Sequence, residues 1–274
     1  MPIDSVAISL SRIAVIARPS LEWTKFTINT IDKLIDNGIK VFIATGRIEK
    51  GARLISDKFK HKLPIITTNG SRILDENNKE LLSIFLKNEV KDFLINFDYK
   101  SFGDEIFING YSVNNWFVVD DTYISFYKHK RLDKKYSPEK ISREEFKTFD
   151  YNKIFFVGDF NHLLQIREVL RENIGEFVNI AFVSENSLEI YDKSATKGNA
   201  AKFLLKKYGI SLDEVVSFGD GLNDIEMLQM AKKGYVMDNA LLELKQLLPD
   251  FEIIADSDTD SVAKKLIEVF NLWK

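Results

Sequence analysis

The chain contains no cysteine among its 274 residues, and it has only 3 histidines and 5 prolines. The lack of cysteine excludes disulfide bonds and cysteine-ligated zinc sites, and it is compatible with a reducing intracellular compartment. No apolar run approaches the length that crosses a membrane, and the first apolar run follows Asp4 instead of a basic lead. We therefore expect a cytoplasmic protein that makes no membrane contact.

Charge of neither sign is in large excess. The 38 lysine and arginine residues are balanced by 41 aspartate and glutamate residues, which gives a formal net charge of −3. The basic cluster at 128–131 is too short to form a nucleic-acid binding stripe, so we expect no nucleic-acid partner. The chain is long enough for one large domain or for a core with an inserted domain.

Short apolar strands alternate with amphipathic helices in both terminal parts of the chain. Near-continuous apolar strands separated by helices predict a parallel sheet that is covered on both faces. The predicted strands are 5–10, 39–44, 63–68, 214–218, 234–237 and 251–255. The predicted helices are 23–37, 48–60, 197–208, 222–232, 239–247 and 259–271.

The middle of the chain has a different pattern. It is rich in aromatic residues, and the alternation within 105–128 predicts antiparallel strands, with one helix at 161–173. The predicted fold is therefore α/β, with a doubly wound parallel-sheet core and an inserted α+β domain. Residues 1–80 and 188–274 form the core, and residues 81–187 form the insertion.

The nonapeptide GDGLNDIEM at 219–227 is the most informative segment. It places Asp220 and Asp224 directly after an apolar strand and at the start of a helix. Open α/β sheets bind ligands at the carboxyl ends of their strands, and Mg²⁺ is often held by one or two carboxylates together with a substrate phosphate. Taken alone, the segment is also compatible with a solvated turn rich in Asp, Asn and Gly, although the ligand site is favoured.

Three further segments favour a phosphate site. The strand at 39–44 ends in Thr45-Gly46-Arg47, and a hydroxyl with free backbone N–H groups after a strand forms a phosphate cradle. A second strand ends at Asn69-Gly70. Lys197 begins a predicted helix, where its charge opposes the helix dipole, so we expect either an anionic ligand beside it or, if the segment is taken alone, a solvated surface lysine.

In this order, TGR, NG, LEI…KG and GDGLND resemble the haloacid dehalogenase-like (HAD) superfamily, and within it the Cof-type sugar-phosphate phosphatases. The resemblance implies that the insertion is a cap that covers the site and selects the substrate. It implies transfer of a phosphoryl group to an aspartate, followed by hydrolysis with Mg²⁺. The implied roles are phosphate binding by Thr45 and Gly46, charge balance by Lys197, metal binding by Asp220 and Asp224, ligand or water orientation by Asn223, and substrate contact by Arg47 and Asn69.

The sequence departs from the family at the first strand, which should end in DxDGT. Aligned on the sequence SLSRI, Ser9 stands in place of the nucleophilic aspartate, Ser11 in place of the acid/base aspartate, and Arg12 in place of the glycine. Loss of a covalent nucleophile costs on the order of 10⁴- to 10⁶-fold in rate. The remaining site has two acids and one lysine, so we expect Mg²⁺ to be held less strongly. Arg12 either pairs with the two acids in place of the metal or turns to solvent.

Two functions remain open at this point. The first, which the missing aspartates favour, is a catalytically impaired protein that binds a phosphorylated metabolite or a protein partner. The alternative, which the intact GDGLND, TGR and KG segments favour, is a Mg²⁺-dependent phosphatase of small phosphorylated metabolites such as sugar phosphates. The sequence does not predict the ligand, the oligomeric state or a particular protein partner.

Overall fold

The computed structural model describes residues 13–17, 23–120, 137–256 and 259–272. Its strands are β1 Ile13–Ala17, β2 Lys40–Ala44, β3 Ile65–Thr67, β4 Arg72–Leu74, β5 Glu80–Ser83, β6 Phe107–Ser112, β7 Asn115–Val118, β8 Glu139–Lys140, β9 Lys153–Val157, β10 Val178–Ser184, β11 Ser187–Asp192, β12 Val215–Gly219, β13 Lys233–Met237 and β14 Glu252–Ile254. Its α-helices are α1 Lys25–Asp36, α2 Glu49–Ser56, α3 Asn88–Asn96, α4 Arg143–Thr148, α5 Phe160–Ile174, α6 Lys197–Tyr208, α7 Ile225–Met230, α8 Leu242–Leu247 and α9 Ser261–Phe270.

Over the described residues, the core is a sheet of eight strands in the order β14-β13-β12-β1-β2-β3-β4-β5. The strands from β14 to β3 run parallel, and β4 and β5 add an antiparallel edge. Within β2, Val41 and Ile43 join the cluster formed with α1, α2 and α9, whereas Phe42 and Ala44 join the cluster formed with α6 and α7. Helices therefore cover both faces, which confirms the doubly wound α/β core and explains why the four buried residues of this strand, at positions 41–44, are all apolar.

The second sheet, in the order β10-β11-β9-β6-β7-β8, forms the cap together with α3, α4 and α5. Its pairs are antiparallel except for β7 with β8. One face packs on α3 and α5, and the aromatic side chains of the other face, Tyr111, Trp116 and Phe155, pack in one cluster with Ile48 of the core. The cap therefore sits against the core directly after the TGR turn.

The first strand lies elsewhere than the sequence predicts. The central place between β2 and β12 is taken by Ile13–Ala17 instead of 5–10, with Ile16 opposite Phe218 and Ala17 opposite Ala44. The physical reason is that IAVIA is an uninterrupted apolar run, as a strand with a helix layer on each side requires, whereas SVAISL contains two serines. The strand thus ends at Ala17, and the predicted positions of Ser9, Ser11 and Arg12 lie outside the described residues.

Other differences concern element ends. The helix predicted over 222–232 divides into a 3₁₀ turn at Leu222–Asp224 and α7, while α6 matches its predicted bounds. The strands of the cap sheet continue to Asp192, beyond the predicted boundary at 187, and the division of the chain into 1–80, 81–187 and 188–274 stays a prediction. No helix in the described part of the chain is long and apolar enough to span a membrane.

Candidate functional site

A cavity of about 650 Å³ lies between the carboxyl edge of the core sheet and the cap. The core lines it with the turns that follow β2, β3 and β12 and with the start of α6. Seven of the residues predicted for the site line this cavity: Thr45, Gly46, Arg47, Asn69, Lys197, Asp220 and Asn223. The cap contributes residues for which the sequence predicts no role, among them Tyr111, Lys153, Phe160, Arg167, Phe182 and Glu189.

Asp224 lies behind the cavity wall and organises the turn after β12. Its Oδ2 atom accepts hydrogen bonds from the backbone N–H groups of Asp220, at 3.1 Å, and Gly221, at 3.0 Å. A Cβ atom at Gly219 would lie 2.6 Å from Cβ of Asp224, so glycine at the strand end lets the aspartate approach. The same turn leaves the side chain of Asp220 on the cavity side.

Lys197 is held by an ion pair inside the protein. Its Nζ atom donates to Oδ1 of Asp224 at 2.6 Å and to Oδ1 of Asn223 at 3.3 Å. The side chains of Lys197 and Asp224 are only 6% and 1% exposed. The lysine is the first residue of α6, after the N-cap Thr196, so Asp224 supplies the negative charge that we expected from a ligand.

The Asn69-Gly70 turn is fixed against the start of α6. Thr68, Asn69 and Gly70 all have positive φ, at 51°, 59° and 102°. A Cβ atom at Gly70 would lie 2.2 Å from the carbonyl oxygen of Thr196, the N-cap of α6. Glycine is the residue that adopts this φ without strain and also leaves room for the carbonyl oxygen of Thr196. Gly70 therefore allows the turn to pack on the start of α6, so that Asn69 and Lys197 line the same cavity.

Replacing Gly70 by alanine should therefore destabilise the protein by about 2–4 kcal/mol, because the left-handed conformation and the contact with Thr196 both penalise a Cβ atom. Gly38 is the matched control, since it has a φ of +82° but a Cβ atom there would meet nothing within 4 Å. Gly38→Ala should cost only about 1 kcal/mol. Urea unfolding of both variants measures the difference, and equal losses would contradict the packing argument.

Thr45 and Arg47 form the turn after β2. The hydroxyl oxygen of Thr45 accepts a hydrogen bond from the backbone N–H of Arg47 at 3.2 Å, and Thr45 is buried. Arg47 is half-buried and lines the cavity. The arrangement leaves the threonine hydroxyl proton able to donate to an anion in the cavity.

The carboxyl group of Asp220 has a raised pKa. Burial, and after it the negative charge of Asp224, raise the pKa of Asp220 from 3.8 to about 6. Asn239 donates a hydrogen bond to its Oδ2 atom at 3.2 Å. A carboxylate that is desolvated and crowded by a second acid is one that a bound cation would relieve.

In metal-free protein the neutral form of Asp220 therefore favours folding. Its contribution to stability is fully present below the ordinary pKa of 3.8 and is lost as the pH rises through about 6. Asp220→Asn should thus raise the free energy of unfolding by about 3 kcal/mol at pH 7.5, and by almost nothing near pH 3.5. Thermal unfolding in chelator at both pH values tests this, with the exposed Asp250→Asn as the control. An equal shift at both pH values would contradict it.

The donor set fits a hard divalent cation only in part. Among the described residues, no group of three or more His, Cys, Asp or Glu side chains could hold a metal ion. Asp220 lines the cavity and Asp224 lies directly behind its wall, and two carboxylates suffice for Mg²⁺ where a phosphate supplies further oxygens. Asp220 would hold the ion, and Asp224, whose oxygens already accept from Lys197 and the backbone, would support it.

The sequence does not lead us to predict a role for two buried charged residues of the cap. Lys153, 1% exposed, donates to Glu189 and to the carbonyl oxygen of Gly46 at 2.9 Å, and Glu189 in turn accepts from Nδ2 of Asn69 at 2.6 Å. The sequence does carry a signal for them. Glu189 alternates with Leu188 and Ile190, which are fully buried on the other face, and a charge on such a strand suggests a polar contact on its own face.

Comparison with known proteins finds the same fold and a family of hydrolases. The sequence profile of the haloacid dehalogenase-like hydrolases matches residues 18–266. A Buchnera aphidicola (subspecies Baizongia pistaciae) protein named "Putative phosphatase" is 35% identical over 256 residues, covering 92% of this chain and 93% of its own. The HMP-PP phosphatase of Serratia proteamaculans is 26% identical over 246 residues, covering 88% and 86%.

Solved structures show the same architecture. A haloacid dehalogenase-like hydrolase from B. subtilis superposes with a TM-score of 0.80 at 20% identity, covering 93% of this chain and 98% of that one. The HAD subclass IIB sugar phosphatase BT4131 superposes with a TM-score of 0.76 at 20% identity, covering 95% and 99%. At these identities the likeness shows the fold of core and cap.

Proposed function

The chain belongs to the haloacid dehalogenase-like hydrolase family, and we propose that it is a Mg²⁺-dependent phosphatase of small phosphorylated metabolites. The observation that carries the proposal is the meeting of Thr45, Lys197 and Asp220 at one edge of the sheet, in a cavity of about 650 Å³. This volume suits a small-molecule ligand. The phosphatase names of its sequence relatives support the same reaction class.

The chain's own residues supply what a phosphate ester needs. Thr45 would donate its hydroxyl to a phosphate oxygen, and the backbone N–H of Gly46 in the turn after β2 would add to the cradle. Lys197 would balance the phosphate charge from the start of α6, and Asn223, which accepts from Lys197, would orient a ligand or water. Mg²⁺, held by Asp220 with support from Asp224, would neutralise charge on the transferring group. Arg47 and the cap residues would contact the alcohol part of the ester, for which sugar phosphates are our first candidates.

A second candidate function is binding of the phosphorylated metabolite with impaired turnover, through the cap or with a protein partner. A specific observation favours it, because Glu22 is the only carboxylic side chain between Asp4 and Asp32. Neither Ser9 and Ser11 nor the end of β1 at Ala17 provides an aspartate nucleophile. Hydrolysis would then rely on direct attack by water, which gives up the two-step covalent route and is slow.

A turnover assay separates the two candidates. Wild type should hydrolyse an aryl phosphate and members of a sugar-phosphate panel with Mg²⁺, and Asp220→Asn should lower the rate by about 10²-fold or more because the charge that would hold the metal is removed. The exposed Asp250→Asn should leave the rate unchanged. If wild type and Asp220→Asn are both at background, the phosphatase proposal fails and the binding function takes its place.

A further inference from the structure

The cap carries a buried ion pair on the face that meets the core. Lys153 on β9 and Glu189 on β11 come from neighbouring antiparallel strands, and their side chains are 1% and 9% exposed. Isolating charges from water is costly, so a buried pair persists only where further hydrogen bonds satisfy it. The flanking residues Leu188 and Ile190 pack into the apolar interior of the cap, and the pair faces the opposite way.

The pair touches both turns that line the phosphate end of the cavity. Lys153 donates to the carbonyl oxygen of Gly46 at 2.9 Å, within the turn after β2. Glu189 accepts from Nδ2 of Asn69 at 2.6 Å, within the turn after β3. These contacts place two charges of the cap directly on the core segments that carry Thr45 and Asn69.

A line of hydrogen bonds continues from Glu189 to Lys197. Because Asn69 donates its amide nitrogen to the carboxylate, its Oδ1 atom is left to accept from Nδ2 of Asn223 at 3.0 Å. The Oδ1 atom of Asn223 is then presented to Nζ of Lys197 at 3.3 Å. The negative charge of Glu189 therefore sets the direction of both amides, and the line ends with an oxygen facing an ammonium group.

We propose that Lys153 and Glu189 are positioning residues that hold the cap on the phosphate-binding edge and, through Asn69 and Asn223, fix Lys197 toward the phosphate. The inference rests on the proposed function, because it concerns the same phosphate site. The inference adds to the proposed function that the affinity for phosphate depends on contacts made by the cap. Linkage then requires that phosphate, in turn, strengthens the docking of the cap.

Glu189→Gln tests the proposal with little change of shape. If the new amide points its nitrogen at Asn69, both asparagines must turn over and a donor meets Lys197. If it points its nitrogen at Lys153, two donors meet there instead. We expect the affinity for inorganic phosphate, measured calorimetrically with Mg²⁺, to fall about tenfold or more. The exposed Glu172→Gln is the matched control and should leave the affinity unchanged.

A double-mutant cycle distinguishes positioning from a general loss of structure. If Glu189 acts through Asn223, the variant Glu189→Gln/Asn223→Ala should bind phosphate about as weakly as Asn223→Ala alone. Additive losses, or an affinity of Glu189→Gln equal to wild type, would overturn the proposal. Circular dichroism at the titration temperature verifies that each variant is folded.

The docking of the cap is measured separately, and the lack of native cysteine makes this straightforward. Dyes on Asn173→Cys in the cap and Lys206→Cys in the core, both at exposed positions, report the distance between the two sheets' helices by energy transfer. Glu189→Gln should broaden this distance distribution, and phosphate should narrow it again. A wild type that binds no phosphate would overturn the proposed function. In that case the distance distribution alone tests whether Lys153 and Glu189 hold the cap on the core. A distribution in Glu189→Gln equal to that of wild type would contradict this part of the inference.

Discussion

An aspartate in place of Ala17 is expected to raise the rate of phosphate-ester hydrolysis by about 10³-fold over wild type, because it would restore a carboxylate nucleophile. The structure places Ala17 at the carboxyl end of the central strand. It pairs with Ala44, the residue that precedes Thr45 on the neighbouring strand. On the other side Ile16 lies opposite Phe218, so position 17 is also close to the turn that carries Asp220. In the family that the sequence resembles, the first strand ends in the nucleophilic aspartate.

The matched control is Ser9→Asp/Ser11→Asp, the restoration that the sequence alone suggests. With the strand at Ile13–Ala17, these positions precede the strand instead of following it, so we expect no gain from the double variant. Turnover of an aryl phosphate and trapping of a covalent phosphoenzyme measure both variants. A gain from the serine pair together with none from Ala17→Asp would show that the alignment of the first strand on Ser9 is correct.

Loss of Lys197 should have the second largest effect. Lys197→Met is expected to weaken phosphate binding about 10²-fold, because a desolvated ammonium group would no longer meet the anion. It should also destabilise the protein by about 3–5 kcal/mol, since Asp224, 1% exposed, would be left as a buried charge without its partner. Phosphate titration and urea unfolding measure the two effects.

A double variant separates binding from stability. Lys197→Met/Asp224→Asn removes both charges of the pair, so we expect much of the lost stability to return while phosphate affinity stays low. Lys202→Met, at an exposed position on the same helix, should change neither quantity. Phosphate affinity that survives in Lys197→Met would contradict the role of this lysine.

The sequence predicts the core well because its signals are local. The apolar spacing of 197–208 and the glycine that follows it, Gly209, predict α6 at its observed bounds. Parallel strands bring their carboxyl ends to one edge, so the turns at Thr45, Asn69 and Asp220 could be expected to meet. Their meeting in one cavity is what the structure adds.

The remaining features depend on contacts that no local pattern encodes. Lys153 and Glu189 are 36 residues apart, and their role follows only when the face of the cap sheet that meets the core is known. The ion pair that Lys197 forms with Asp224 likewise joins residues 27 positions apart. The sequence misplaces the first strand because the resemblance to DxDGT favours SLSRI over the more apolar run at 13–17. Serine in place of aspartate removes the signal that would have fixed the alignment.

The claim on which both candidate functions depend is that this cavity binds phosphate, and a calorimetric titration of wild type with inorganic phosphate tests it most directly. We expect saturable binding at one site per chain, with an affinity that Mg²⁺ raises and that Asp220→Asn lowers only when the metal is present. Absence of saturable heat both with and without Mg²⁺, in protein shown to be folded, would contradict it.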